Sequence, residues 1–232
     1  MTSQPDWSVE LHISAYRAGY FPMADERAGD VGWYNPDPRA ILPLREADGL
    51  HVPRTIERRI RQQRFELTSD TAFAEVVAQC ARPRFPGDGR WIDPTMTRWY
   101  RELHDAGITH SLEAWRTDPA TNERALVGGI FGLAIGRAFF AESMFHTPRP
   151  RRPDGTRDPL DGTDASAVCL VTLARHLHAC GFSLLDVQLA NEHTNRFGVT
   201  EVSRADFLPL VAHATDAPPA WRPIPAPAPS PS

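Results

Sequence analysis

The stretch GLAIGRAFFAESMFH, residues 132–146, limits the possible folds more than any other segment. Small and apolar residues, two phenylalanines, then Met144 and Phe145 read as a buried strand. The Gly136-Arg137 pair divides it from the equally apolar ALVGGIFGLAIG, 125–136, as a turn divides two antiparallel strands. Glu142 interrupts this apolar run. A carboxylate placed there is costly unless partners satisfy it, so the central hairpin must be built around whatever Glu142 holds. A structural ion pair with an arginine is one answer, and a binding or reacting group is the other.

A second strand repeats the pattern. In SLLDVQLA, 183–190, side chains alternate between faces, so Asp186 and Gln188 point one way while Leu185, Val187 and Leu189 point the other. The polar pair reads either as the wet face of an edge strand or as a site on a rigid element, where a carboxylate and an amide position a reacting group. Ser143 follows Glu142 and shares its logic. Asp186→Asn is then expected to slow turnover while leaving the fold intact.

Helical periodicity marks residues 8–18, 53–63, 70–81, 93–107, 165–180 and 203–213. Asp93 reads as an N-cap, Pro94 as the first helical residue and Gly107 as a stop. HSLEAW, 110–115, adds a strand. A hairpin followed by a strand–helix–strand crossover predicts an α+β fold, a mixed sheet flanked by helices. Residues 53–213 would form it, with a smaller α/β unit in 1–52 packed against it. The Pro/Ala-rich stretch 214–232 reads as a disordered tail, and TPRPRRPDGTRDPLDG, 147–162, as a long inserted loop.

Charge and cysteines narrow the classes. The net charge of −4 argues against general nucleic-acid affinity, yet every one of the 25 basic residues is arginine. Arg54, Arg58 and Arg61 share a helix face opposite Ile56, Ile60 and Gln63, which is either a phosphate-binding face or a solvated one. Cys80, Cys169 and Cys180 have no CxxC spacing and read as reduced thiols; no His/Cys spacing points to a metal. No apolar run spans a membrane and no leader pattern opens the chain, so a cytoplasmic protein is expected. Trp33 and Trp91 stand at junctions where an indole can form an aromatic platform or simply fill the core.

Six ordered blocks resemble the leucyl/phenylalanyl-tRNA–protein transferases. They are AYRAGYFP, GWYNPDPRAIL, WIDPTMTRWYRELHDAGITHSLEAW, LVGGIFGLAIGRAFFAESMF, TDASAVCLVTLARHL and LLDVQLANEHTNRFGVTEVSRADF, together running from about 11 to 213. The resemblance implies a C-terminal domain like the N-acetyltransferase fold. It also implies transfer of Leu, Phe or Met from aminoacyl-tRNA to proteins with N-terminal Arg or Lys, marking them for degradation. No cofactor is implied, and a monomer is expected. By resemblance Asp186 and Gln188 are catalytic. Glu142 would fix the aminoacyl adenosine or the incoming cationic group, Trp91 would stack on a base, and Ser143, Met23 and Trp33 would join them in binding substrate. Ile130, Phe139, Ala141, Leu170, Leu173, Leu177 and Leu185 would line an apolar pocket, and Arg54, Arg58 and Arg61 would meet tRNA. Met23, Ala141 and Ala167 depart from the family's usual residues. Two alternatives stay open: an acetyl-CoA-dependent acetyltransferase, and a non-catalytic protein that binds tRNA or N-terminal degradation signals.

Overall fold

Burying the apolar hairpin on both faces requires helices above and below it, and the computed structural model shows that arrangement for residues 8–25, 30–83 and 91–224. The order is α1 (Val9–Arg17), β1 (Phe21–Asp25), β2 (Asp30–Tyr34), β3 (Arg39–Ile41), a 3₁₀ turn (Glu46–Asp48), α2 (Arg54–Arg61), β4 (Glu66–Ser69), α3 (Phe73–Cys80), α4 (Pro94–Asp105), β5 (Thr109–Thr117), β6 (Arg124–Ile135) and β7 (Ala138–His146). There follow α5 (Ala165–Ala179), β8 (Leu184–Gln188), α6 (Glu192–Asn195), β9 (Thr200–Val202) and α7 (Arg204–Thr215).

Seven strands form one mixed sheet in the order β4-β5-β6-β7-β8-β3-β9. Only β7 and β8 run parallel, as the crossover through α5 requires. On one face α5, backed by α2, covers Leu112, Ile130, Phe139 and Leu185. On the other, Tyr16, Phe73, Trp99, Tyr100 and Phe207 from α1, α3, α4 and α7 cover Phe131, Leu133 and Phe140. The expected mixed sheet between helices is thus present. α4 starts as expected, with the Asp93 carboxylate accepting from Met96 N at 2.7 Å and Pro94 in the first turn.

Beside this sheet, β1 and β2 pair as a separate two-stranded ribbon. β3, also within residues 1–52, instead enters the main sheet between β8 and β9. At the other end, α7 continues to Thr215, and residues 216–224, within the stretch expected to be disordered, pack back on the sheet. Their anchors are Trp221, the one aromatic side chain in that stretch, and Ile224. Residues 225–232 lie outside the described residues.

The loop 147–162 has no helix or strand, but it is organised around a buried carboxylate. Asp161 accepts from Arg64, Arg157, the Arg149 and Thr163 amides and the Thr163 hydroxyl. Burial pushes its carboxyl up, but these donors outweigh that and hold it at about 2.

Candidate active site

Two irregularities in the sheet create the site. Pairing of β6 with β7 passes from Phe131↔Ser143 to Gly132↔Ala141, so Glu142 is an extra residue at a bulge. Phe131 faces α3 and α4, and its partner Ser143 therefore lies on that side. Glu142, two residues beyond Phe140, also reaches the α1/α4 side, so the bulge leaves two successive side chains on one face. Gly132 permits the close approach, since a Cβ there would stand 2.2 Å from Phe140 O.

The second irregularity is the parting of β7 from β8. Their parallel pairing covers Ala138↔Leu184, Phe139↔Leu185 and Phe140↔Asp186. Beyond Phe140 and Asp186 no backbone pairing joins these strands, and side chains bridge the gap. Gln188 Nε2 donates to Glu142 Oε1 at 3.0 Å. Tyr16 OH donates to the same oxygen at 2.8 Å and Tyr100 OH to Oε2 at 2.7 Å. Glu142 as a residue keeps partial solvent contact.

Enclosure dominates the electrostatics of Glu142. Burial of the carboxyl raises its pKa from 4.5 to about 7, and the three donors, which favour the ionised form, offset only some of that. Both tyrosines move well above their ordinary value, first by burial and then by the neighbouring carboxylate, so their hydroxyls remain protonated donors. A carboxyl that titrates near neutrality can accept and release a proton in one turnover.

Asp186 occupies a different place from the one alternation suggested. It does share a face with Gln188, but it is fully buried and its charge is consumed internally. Arg39, equally buried, donates from Nε to Oδ1 at 2.9 Å and from Nη2 to Oδ2 at 2.6 Å. Arg39 Nη1 donates to Gly19 O at 2.8 Å, and the guanidinium lies against the Phe21 and Phe207 rings. This closed pair leaves no face of Asp186 for a substrate. Its Oδ1 also accepts from the Gln188 amide at 2.8 Å. That bond holds Gln188 in a left-handed backbone conformation, φ 64°, which turns its side chain toward Glu142. The expectation that Asp186→Asn spares the fold is therefore corrected: it would leave a buried guanidinium without its counter-charge.

The other expected site residues fall into three groups. Trp91 is 49% exposed beside β1, where its carbonyl accepts from Ala24 N. Met23 and Trp33 sit on the β1/β2 ribbon, with the Trp33 indole packed edge-on against His12 and Tyr16. Trp33 thus backs a Glu142 ligand from partly buried ground. Ile130, Phe139, Leu170, Leu173, Leu177 and Leu185 form one cluster with Ala141 at its edge. Each of the six is at most 1% exposed, so an aminoacyl side chain reaches them only by parting that packing. Arg54, Arg58 and Arg61 are exposed on α2, away from Ile56 and Ile60, which pack toward α5. Among the described residues no ion pair engages these three. Tyr16, Tyr100 and Arg39 escaped the sequence reading as site residues. Tyr100 reads as apolar stripe in its helix, and only the need of a buried hydroxyl for a partner could have marked it.

Glu113 is a second buried carboxylate, satisfied by the hydroxyls of Thr68, Thr71 and Ser111 at the start of α3. It fixes the β4–α3 turn and has no opening to solvent. Among the described residues no group of three or more His, Cys, Asp or Glu is placed to hold a metal ion, and no helix is long and apolar enough to cross a membrane.

The family model described as leucyl/phenylalanyl-tRNA protein transferase matches residues 42–212, and the model of that family's N-terminal domain matches 6–37. The leucyl/phenylalanyl-tRNA--protein transferase of Salinibacter ruber is 42% identical over 220 residues, covering 94% of this chain and 85% of that protein. The protein of the same name from Akkermansia muciniphila is 41% identical over 207 residues, 89% and 95% of the two chains. That from Pseudomonas aeruginosa is 42% identical over 214 residues, 92% and 84%. Matched along nearly its whole length, the chain belongs to the leucyl/phenylalanyl-tRNA protein transferase family.

Proposed function

We propose that this chain transfers a leucyl or phenylalanyl group from tRNA to the N-terminal amine of a protein, with Glu142 taking the proton that the attacking amine must shed. The observation that carries this reading is the Glu142 carboxylate, held by Tyr16, Tyr100 and Gln188 where β7 and β8 part. The balance is simple. The acceptor's ammonium gives a proton to Glu142, and the free amine attacks the ester carbon. The C–N bond forms, the second proton that the attacking nitrogen must lose passes to the ribose oxygen as the C–O bond to the terminal ribose breaks, and Glu142 releases its proton to solvent. The ester is already activated, so holding both groups together supplies much of the acceleration and no cofactor enters the step.

Gln188 is the companion group. Its Nε2 donates to Glu142, and its Oε1 would accept from the incoming amine. Asp186 acts through Gln188 and is a positioning residue rather than one that touches substrate. Ser143 lies on the same face as Glu142 and would contact the aminoacyl adenosine. The exposed Trp91 would stack on its base, with Met23 and Trp33 forming the neighbouring wall. The cluster of Ile130, Phe139, Leu170, Leu173, Leu177 and Leu185, edged by Ala141, would part to receive the donor side chain. Arg54, Arg58 and Arg61 would meet acceptor-arm phosphates. An N-terminal Arg or Lys on the acceptor, a monomeric enzyme in the cytoplasm and a role in marking proteins for degradation complete the proposal.

The test uses one peptide in two forms, with a free or an acetylated N-terminus, incubated with leucyl-tRNA. The free form should gain one leucyl residue at its N-terminus and the acetylated form none. Equal labelling of both forms would place the attacking group elsewhere and overturn the reading.

A further inference from the structure

We propose that Trp221, on the segment after α7, sets the depth of the aminoacyl pocket and so the choice between smaller and larger apolar donors; the inference rests on the reading that the Phe139 cluster receives the donor side chain. The segment is pinned along its backbone. Ala220 N donates to Gly136 O at 3.1 Å, Ile224 N donates to Ser69 Oγ at 2.9 Å, and Arg222 O accepts from His176 Nε2 at 2.7 Å. Between these anchors the indole is held on several sides. It stacks on the His110 ring at 4.4 Å and 18°, meets His176 edge-on at 5.6 Å and donates from Nε1 to Asp70 Oδ2 at 3.3 Å. His110 is itself fixed, with Nδ1 at 2.9 Å from Asp70 Oδ2 and Nε2 at 3.2 Å from Gly107 O.

Phe139 links this anchor to the pocket. Its ring lies 5.8 Å from the indole and belongs to the same cluster as Leu170, Leu173, Leu177 and Leu185. A donor side chain that enters the cluster must displace atoms, because interiors are packed with few voids. Phe139 can yield only into space that nothing else fills, and the pinned indole fills its neighbourhood. A larger donor is therefore resisted by Trp221 through Phe139, without direct contact. Shortening Trp221 gives Phe139 room to retreat, which favours the larger donor.

The experiment compares phenylalanyl and leucyl transfer to one peptide by wild type, Trp221→Ala, Trp221→Leu and Trp221→Phe. A ratio of kcat/KM values for two donors on one enzyme sample is independent of the fraction folded. One methylene of apolar fit is worth about 10- to 200-fold, so Trp221→Ala should raise the phenylalanyl-to-leucyl ratio about 10-fold or more, with Trp221→Phe staying near wild type. Trp221→Leu should fall between them, and it decides the matter if the alanine variant fails to fold. Variants that lose both donors in equal proportion would show a merely structural tryptophan and overturn the inference. A wild type that transfers neither donor would instead refute the proposed function, and this inference with it.

Discussion

Replacing Glu142 by Gln keeps the volume, removes the ionisation and turns one acceptor oxygen into a donor, which the Tyr100 hydroxyl can meet by accepting in place of donating. The structure sets two magnitudes for this change. The first concerns stability. Folding raises the Glu142 carboxyl from 4.5 to about 7, so between those values the folded state binds more protons than the unfolded one. The stabilisation this gives is fully present below pH 4.5 and is lost as pH rises through 7. The shift corresponds to at most about 3 kcal/mol at 1.36 kcal/mol per unit, a ceiling because the residue retains solvent contact. The variant lacks this term. The difference in unfolding free energy between wild type and variant should therefore move in the variant's favour from pH 5 to pH 9, by up to about 3 kcal/mol. Urea denaturation of both proteins at the two pH values measures it.

The second magnitude concerns rate. Wild-type kcat/KM should climb with pH through about 7 as Glu142 ionises, in addition to the titration of the peptide's own amine near 8. Glu142→Gln should retain only the amine's limb and lose about 10²- to 10⁴-fold in turnover. Steady-state leucyl transfer from pH 5.5 to 9 separates the two limbs. A variant with wild-type turnover, or one whose pH profile superimposes on that of wild type, would refute the reasoning.

Other perturbations probe the neighbours. Gln188→Ala removes a donor that favours ionised Glu142, so turnover should fall on the order of 10²-fold and the Glu142 limb should move to higher pH; an unmoved limb would show that the amide does not tune the carboxyl. Asp186→Asn leaves Arg39 buried without its counter-charge and should cost about 3–5 kcal/mol, a drop in Tm on the order of 10 °C. Arg39→Met combined with Asp186→Leu should recover much of that Tm, since an apolar pair carries no desolvation cost; a melting curve unchanged in Asp186→Asn would deny the pair its structural role. Arg54, Arg58 and Arg61 changed together to Ala should flatten the slope of log tRNA affinity against log salt by about 2 to 3; an unchanged slope would make the α2 face merely solvated.

Much of this architecture could be read from residue order. The 3.6-residue periodicity and capping residues located six helices, because Asp93, Pro94 and Gly107 act locally. The hairpin and the shared face of Asp186 and Gln188 follow from strand alternation. Strands β3, β4 and β9 have only three or four residues, too few to show a period. The bulge at Glu142 is a register event between two strands, invisible in either strand alone. Arg39 meets Asp186 across 147 residues, and Tyr16 meets Glu142 across 126. No local rule connects positions so distant, which is why Asp186 read as a reacting group. Asp164 shows the same limit: it stands at the start of α5, but its carboxylate turns to Arg59 instead of capping the helix. Composition likewise assigned Trp221 to a disordered tail, where one aromatic anchor outweighs the surrounding prolines.

The central claim is that an aminoacyl ester on tRNA is the donor and a protein N-terminus the acceptor. The most direct measurement offers the purified protein leucyl-tRNA or acetyl-CoA, together with peptides identical except for an N-terminal Arg, Lys or Ala, and reads the products by mass. The account predicts one added leucyl residue on the Arg and Lys peptides, little on the Ala peptide, and no acetylation. Acetyl transfer without any leucyl transfer would contradict it.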